Sequence, residues 1–246
     1  MTASLRMLSA EDEIPSFLGV ERSARGFRWT ERLDPSRAMV ATAIAQSHGL
    51  PELLGRVLAS RGADTTTITQ FLDPSLRNLL PDPHTLQDMS KAAGRFAEAI
   101  VSGEKIAVFG DYDVDGASSV ALIQRYLRAH GREASAYIPD RLTEGYGPSP
   151  TALTQLVAEG ATLILTVDCG TTGVDALATA APLGADVIVV DHHQADERLP
   201  DVAAVINPNR QDDLSGLGHL CAAGVVFMLL VATVRELRKR GHYGTE

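Results

Sequence analysis

The stretch KIAVFGDYDVDG, residues 105–116, joins a short apolar run to three aspartates at alternate positions and a glycine. The run is too short for an ordinary helix, and its apolar residues are consecutive, which marks a strand buried on both faces. The pattern recurs downstream. ASAYIPD (134–140), ATLILTVD (161–168) and DVIVVD (186–191) each run into an acid, and AAVINP (203–208) is a fifth candidate strand. Helical patterns fit between them at Ser118–His130, Ser149–Glu159 and Val174–Leu183, with Gly131, Gly160 and Gly184 as stop residues. A final helix is expected from about Gly218 to Arg240. Its apolar run, Cys221–Val234, is too short to span a bilayer and reads as buried. Strands alternating with helical crossovers predict an α/β fold: a parallel, doubly wound sheet with helices on both faces.

Upstream the pattern is different. Residues 1–50 are polar and arginine-bearing (ERSARGFRWTERL), with Trp29 as the sole tryptophan, and helical spacing runs over Ser36–His48. From Leu50 to Pro83, short helices broken by Gly62, Pro74, Pro81 and Pro83 are expected. The reading is a small, mainly helical N-terminal segment (1–75) followed by the α/β domain (76–246). No chemistry is assigned to the segment.

Composition narrows the function. The N-terminus (MTASLRMLSAEDEIP) lacks the apolar core of a secretory signal. Two cysteines, Cys169 and Cys221, build no disulfide framework, and a reducing, cytoplasmic compartment is expected. A net charge of −9 argues against nonspecific nucleic-acid binding through a basic surface. That objection weakens if the acids converge on divalent cations, which reverse the local field.

Convergence is what the fold predicts. Ligands of such sheets bind beyond the carboxyl ends of the strands. Three strands end in unusual chemistry: Asp111, Asp113 and Asp115 after the first, Asp168 after the third, and Asp191-His192-His193 after the fourth. Carboxylates crowded together repel and raise one another's pKa unless a cation joins them. Oxygen ligands with imidazole and no thiolate set suit Mn²⁺ or Mg²⁺. Two ions about 4 Å apart could clamp the attacking and leaving oxygens of a phosphate. Asp168, on a neighbouring strand, is the natural bridging carboxylate, and a histidine outside the ligand set could contact the phosphate or protonate the leaving group.

Plainer readings exist for each part. DxDxDG opens an EF-hand loop, but the twelfth position is Leu122 and a strand precedes it. An aspartate loop after a strand also suits haloacid-dehalogenase-type phosphatases, which leaves the histidines unexplained. Asp168 alone could cap a turn at Thr171 or Thr172, and the His192-His193 pair could be a solvent-facing strand end. The conjunction of three strand ends decides for the metal site.

Together VFGDYDVDG, LTVDCG and VVDHH resemble the three motifs of the DHH phosphoesterase family, and within it the single-strand-specific exonucleases. FLDPSLRNLLPDPHTLQDM (71–89), IPDRLTEGYGPS (138–149), VINPNR (205–210) and LCAAGVVF (220–227) are similar too. The resemblance implies 5′-to-3′ hydrolysis of single-stranded DNA in recombination and repair, using two Mn²⁺ or Mg²⁺ ions. It implies Asp113, Asp115, Asp168 and His192 as metal ligands, with Asp111 in the same loop binding metal or positioning a ligand. It implies His193 at the scissile phosphate and Asp191 orienting the histidines. Arg141, Asn207 and Arg210 would contact the substrate backbone, Tyr146 a base or sugar, and the start of the LCAAG helix would offer N–H groups to an anion. A DHH-type phosphodiesterase for short oligonucleotides or cyclic dinucleotides is the alternative enzyme, and a non-catalytic nucleic-acid-binding fragment the alternative class. The family's fourth metal motif and second domain are not found before Glu246. The chain therefore resembles the N-terminal portion of a longer enzyme, whose remaining parts could meet repair proteins.

Overall fold

The computed structural model describes residues 15–244. The first fourteen residues of the stretch read as lacking a secretory signal lie outside them. The described residues form two compact units that meet in sequence between Leu80 and Pro81.

The first unit is helical. Helices α1 (Pro35–His48) and α2 (Glu52–Ser60) are followed by two short ones, α3 (Ile68–Leu72) and α4 (Leu76–Leu79). Asp34 caps α1 by accepting the Arg37 N–H at 2.7 Å, with Pro35 in the first turn. Leu33, Ala41, Ile44, Leu58, Ala59, Ala63 and Ile68 form its core.

The second unit is the expected α/β domain. In chain order it comprises α5 (Met89–Ser102), β1 (Ile106–Gly110), α6 (Val114–Ala129), β2 (Ala134–Tyr137), α7 (Pro150–Ala158), β3 (Leu163–Val167), α8 (Val174–Leu177), β4 (Asp186–Val190), β5 (Ala204–Ile206) and α9 (Ala222–Lys239). All five strands are parallel, in the order β2-β1-β3-β4-β5. On one face Ala107, Phe109, Ile164, Val187 and Val189 pack against Ala152, Leu153 and Leu156 of α7 and Leu177 of α8. Helices α5, α6 and α9 pack together, with α6 against β1 and α5 against β5. Every residue of β1 and β3 is buried, whereas β2, at the edge, is half-exposed.

Several boundaries differ from the sequence reading, each for a local reason. Helix α6 begins at Val114 rather than Ser118, because Asp113 caps it by accepting the Asp115 and Gly116 N–H groups. The predicted 174–183 helix splits into α8 and a 3₁₀ turn at Ala181–Leu183. Pro182 has no N–H with which to continue it. Strand β2 ends before Pro139, and α9 starts four residues later than expected. Among the described residues no helix is long and apolar enough to cross a membrane.

Candidate metal centre

The register of the sheet builds the site. Gly110 of β1 pairs with Val167 of β3, Val167 with Val190 of β4, and Val190 with Ile206 of β5. The next residues, Asp111, Asp168, Asp191 and Asn207, therefore stand in one row along the carboxyl edge. Strand order reverses between β1 and β3, the place where open α/β sheets form their crevice.

Asp168 is the centre of the row. It is 1% exposed and its backbone is in the left-handed region, φ 60°, which costs energy for a residue with a Cβ. Gly170, at φ 109°, follows it, and a Cβ there would meet Thr166 Oγ1 at 2.6 Å. Ligand atoms of Asp111, Asp113 and Asp168 lie within 4.8 Å of one another, as do those of Asp168, His192 and His193. Asp168 thus belongs to both groups. The Asp168 and Asp111 Oδ1 atoms are buried with no hydrogen bond. His192 Nε2 lies 3.2 Å from Asp168 Oδ1 without serving as its donor. Burial, the Asp113 carboxyl and the charge of Asp115 together push Asp168 up to about 7. Burial and the charge of Asp113 also raise Asp111. Two buried carboxylate oxygens without donors, beside an imidazole, are a donor set a hard divalent cation would satisfy. The residues fit Mn²⁺ or Mg²⁺.

Around this centre the other groups take separate places. Asp113 gives one oxygen to the α6 amides, and the Gly116 N–H above all holds its carboxyl low. A Cβ at Gly116 would meet Asp111 O at 2.4 Å, so only glycine lets the loop close this tightly. Asp191 is 2% exposed. Its Oδ2 accepts the Thr171 N–H at 3.1 Å, and its Oδ1 accepts the His192 and His193 amides and faces His193 Nδ1 at 2.8 Å. Burial alone would raise Asp191, but the His193 and Thr171 hydrogen bonds outweigh it and hold it at about 2. Asp191 in turn raises His193. Asp191, not Asp168, takes the amide of Thr171, so the turn-capping reading of Asp168 does not apply. Tyr146 reaches the same place: its hydroxyl donates to Asp168 O and lies 3.2 Å from His193 Nδ1.

Three expectations need correction. Arg210 is not free to hold phosphates. Its guanidinium pairs with Asp88 at 3.0 Å and Asp212 at 2.6 Å, donates to Val205 O and is 10% exposed. Asn207 is fully buried, donating to Thr171 Oγ1 and His193 O, each at 2.9 Å; it shapes the site rather than touching substrate. The start of α9 does meet an anion, but an internal one. The Ala222 and Ala223 N–H groups donate to the Asp115 carboxylate at 2.7 and 2.9 Å. Asp115 lies outside both ligand groups, although its Oδ2 is 3.6 Å from His192 Nε2. Arg141 is exposed, with its guanidinium 5.1 Å above the Tyr112 ring.

Sequence reasoning missed Asn209, whose side-chain amide donates to His192 O and so helps fix the first histidine. The signal was present in the NPNR loop after β5, where an asparagine three residues beyond a strand end is a turn residue able to reach its neighbours.

A parallel sheet whose adjacent strand tips gather aspartates and a histidine pair around one buried carboxylate defines an α/β domain with a candidate metal centre. The match to known proteins makes this specific: residues 105–244 match the DHH family, N-terminal domain, and the chain belongs to that family. It is similar to the single-stranded-DNA-specific exonuclease RecJ of Bacillus subtilis, 36% identical over 214 residues, which is 87% of this chain and 27% of that protein. With the Salmonella typhimurium RecJ it is 40% identical over 195 residues, 79% of this chain and 33% of that one. A solved structure of Thermus thermophilus RecJ in complex with Mn²⁺ superposes with a TM-score of 0.66 at 30% identity, covering 84% of this chain and 28% of that one. The chain thus spans about a third or less of the length of these relatives.

Proposed function

We propose that this chain carries the catalytic centre of a 5′-to-3′ exonuclease that hydrolyses phosphodiester bonds in single-stranded DNA with two Mn²⁺ or Mg²⁺ ions. The observation that carries the reading is the membership of Asp168 in both ligand groups, Asp111–Asp113–Asp168 and Asp168–His192–His193. The similarity to single-stranded-DNA-specific exonucleases supports the substrate, and the family resemblance supports the direction.

Asp111 and Asp113 would hold one ion, His192 the other with help from Asp115, and Asp168 both. When bound, the pair supplies Lewis acidity to the phosphate and lowers the pKa of an attacking water. The remaining work belongs to side chains around it. His193, fixed through Nδ1 by Asp191, would keep its other ring nitrogen for the scissile phosphate. Asp191 holds both histidines, and Asn207 and Asn209 hold their backbone carbonyls. Burial and the surrounding acids keep the Tyr146 phenol protonated, so it can act as a donor at the centre. Arg141 stands over Tyr112 in the aspartate loop as a phosphate contact. An enzyme of this kind would work in the cytoplasm alongside other repair proteins.

End-labelled single strands, duplexes and dinucleotides incubated with Mn²⁺ test the proposal. Shortening of single strands from the 5′ end, with duplex spared, is expected. Cleavage of dinucleotides alone, or cleavage insensitive to chelators, would overturn it.

A further inference from the structure

We infer that the arginine-rich arm at residues 17–32 is a second binding surface for single-stranded DNA, built on base stacking and exposed guanidinium groups. The arm is a fixed structure. The Phe17 N–H donates to Trp29 O at 2.9 Å and the Trp29 N–H to Val20 O at 3.0 Å. At its tip the Ser23 N–H donates to Phe27 O at 2.8 Å, and the Phe27 N–H donates back to Ser23 Oγ at 3.2 Å. Phe27 and Trp29 are two residues apart on this hydrogen-bonded arm. Both face solvent, at 67% and 47% exposure.

Charge singles out the same segment. The chain carries −9, yet residues 20–33 hold four arginines against two glutamates. Both glutamates are engaged: Glu21 with Arg28 at 3.2 Å, and Glu31 with Arg56 through both oxygens, at 2.8 and 2.9 Å. Arg22, Arg25 and Arg32 are exposed and make no ion pair among the described residues. Two exposed aromatic rings and three exposed guanidiniums without an ion pair among the described residues suit an unpaired strand, which offers a π-face on every base and a phosphate at every step. A duplex hides its base faces. The choice of DNA over RNA rests on the proposed function; the stacking and charge argument does not.

Trp29, the sole tryptophan, is a built-in reporter. The full chain is titrated with oligothymidylate in EDTA, following tryptophan emission and, separately, the anisotropy of labelled strand. Saturable quenching is expected, with weaker response to duplex. The Arg22→Ala/Arg25→Ala/Arg32→Ala variant should lower the slope of log affinity against log salt by about 2, at about 0.7 per phosphate lost. Phe27→Ala should weaken binding roughly tenfold. Circular dichroism melts check that both variants fold, and neither should change metal-dependent cleavage of a dinucleotide. Trp29 emission unmoved by oligothymidylate, or an unchanged salt slope, would overturn the inference. Cleavage of single strands with a silent Trp29 would sink this inference alone. Quenching with no metal-dependent cleavage would sink the proposed function alone.

Discussion

Asp115 and Ala222, 107 residues apart, are joined by a 2.7 Å hydrogen bond from the helix amide to the carboxylate. A second bond from the Ala223 N–H, at 2.9 Å, makes Asp115 the effective cap of α9, whose own N-cap residue, Cys221, makes no side-chain cap. The acid loop after β1 and the start of α9 are therefore one unit. Asp115→Ala should cost about 1 to 2 kcal/mol, since it leaves two part-buried amides unpaired. Urea unfolding in EDTA reads this directly, apart from any effect on metal.

Arg210 and Asn207 should separate structure from substrate contact. Arg210→Ala leaves Asp88 without its guanidinium and is expected to lower stability while the KM for single strands stays unchanged. Asn207→Ala frees the His193 carbonyl, so kcat should fall at least about tenfold with little change in KM, since a small misplacement near the reacting atoms is costly. Steady-state kinetics on both variants check the pair. A raised KM in Arg210→Ala would restore the phosphate-binding role.

Tyr146→Phe removes a hydroxyl that touches both Asp168 O and His193 Nδ1. It should reduce kcat while leaving the fold intact, because the ring and its packing remain. Loss of stability instead, seen in a thermal melt with normal kcat, would make Tyr146 a structural residue.

Stability should fall in acid through the base of the sheet. Arg95 bridges Glu104 and Asp186, with bonds of 2.7 to 2.9 Å. The Arg95 guanidinium holds the Glu104 carboxyl below its ordinary 4.5, against the opposing effect of burial. A lowered folded pKa means this stabilisation is complete above 4.5 and is lost as pH falls through the depressed value. Glu104→Gln should therefore cost about 1 to 2 kcal/mol at neutral pH, allowing for partial exposure, and the difference should vanish in strong acid. Denaturant midpoints across the pH range test the sign.

The strands and their order of chemistry were readable because buried parallel strands announce themselves as continuous apolar runs, and β1, β3 and β4 do. Which acids would meet was legible only at the level of strand ends. Register, which puts Asp111, Asp168, Asp191 and Asn207 in one row, depends on backbone pairing that side-chain pattern does not encode. The ion pairs of Arg210 and the burial of Asn207 were not legible for the same reason: polar residues at a strand end look alike whether they face substrate or brace a loop. The early start of α6 was hidden because Asp113 reads as a ligand and acts also as a cap. The split at Pro182 could have been seen, since proline inside a helical pattern removes an N–H.

In the proposed centre Asp168 serves two ions at once. Electron paramagnetic resonance of the Mn²⁺-titrated chain tests it, alongside Asp168→Asn, which keeps the size of the side chain and tolerates its left-handed backbone. A spin-coupled Mn²⁺ pair in the wild type, absent in the variant together with both tight binding events, is the predicted result. Two ions bound without coupling, or undiminished binding by Asp168→Asn, would contradict it.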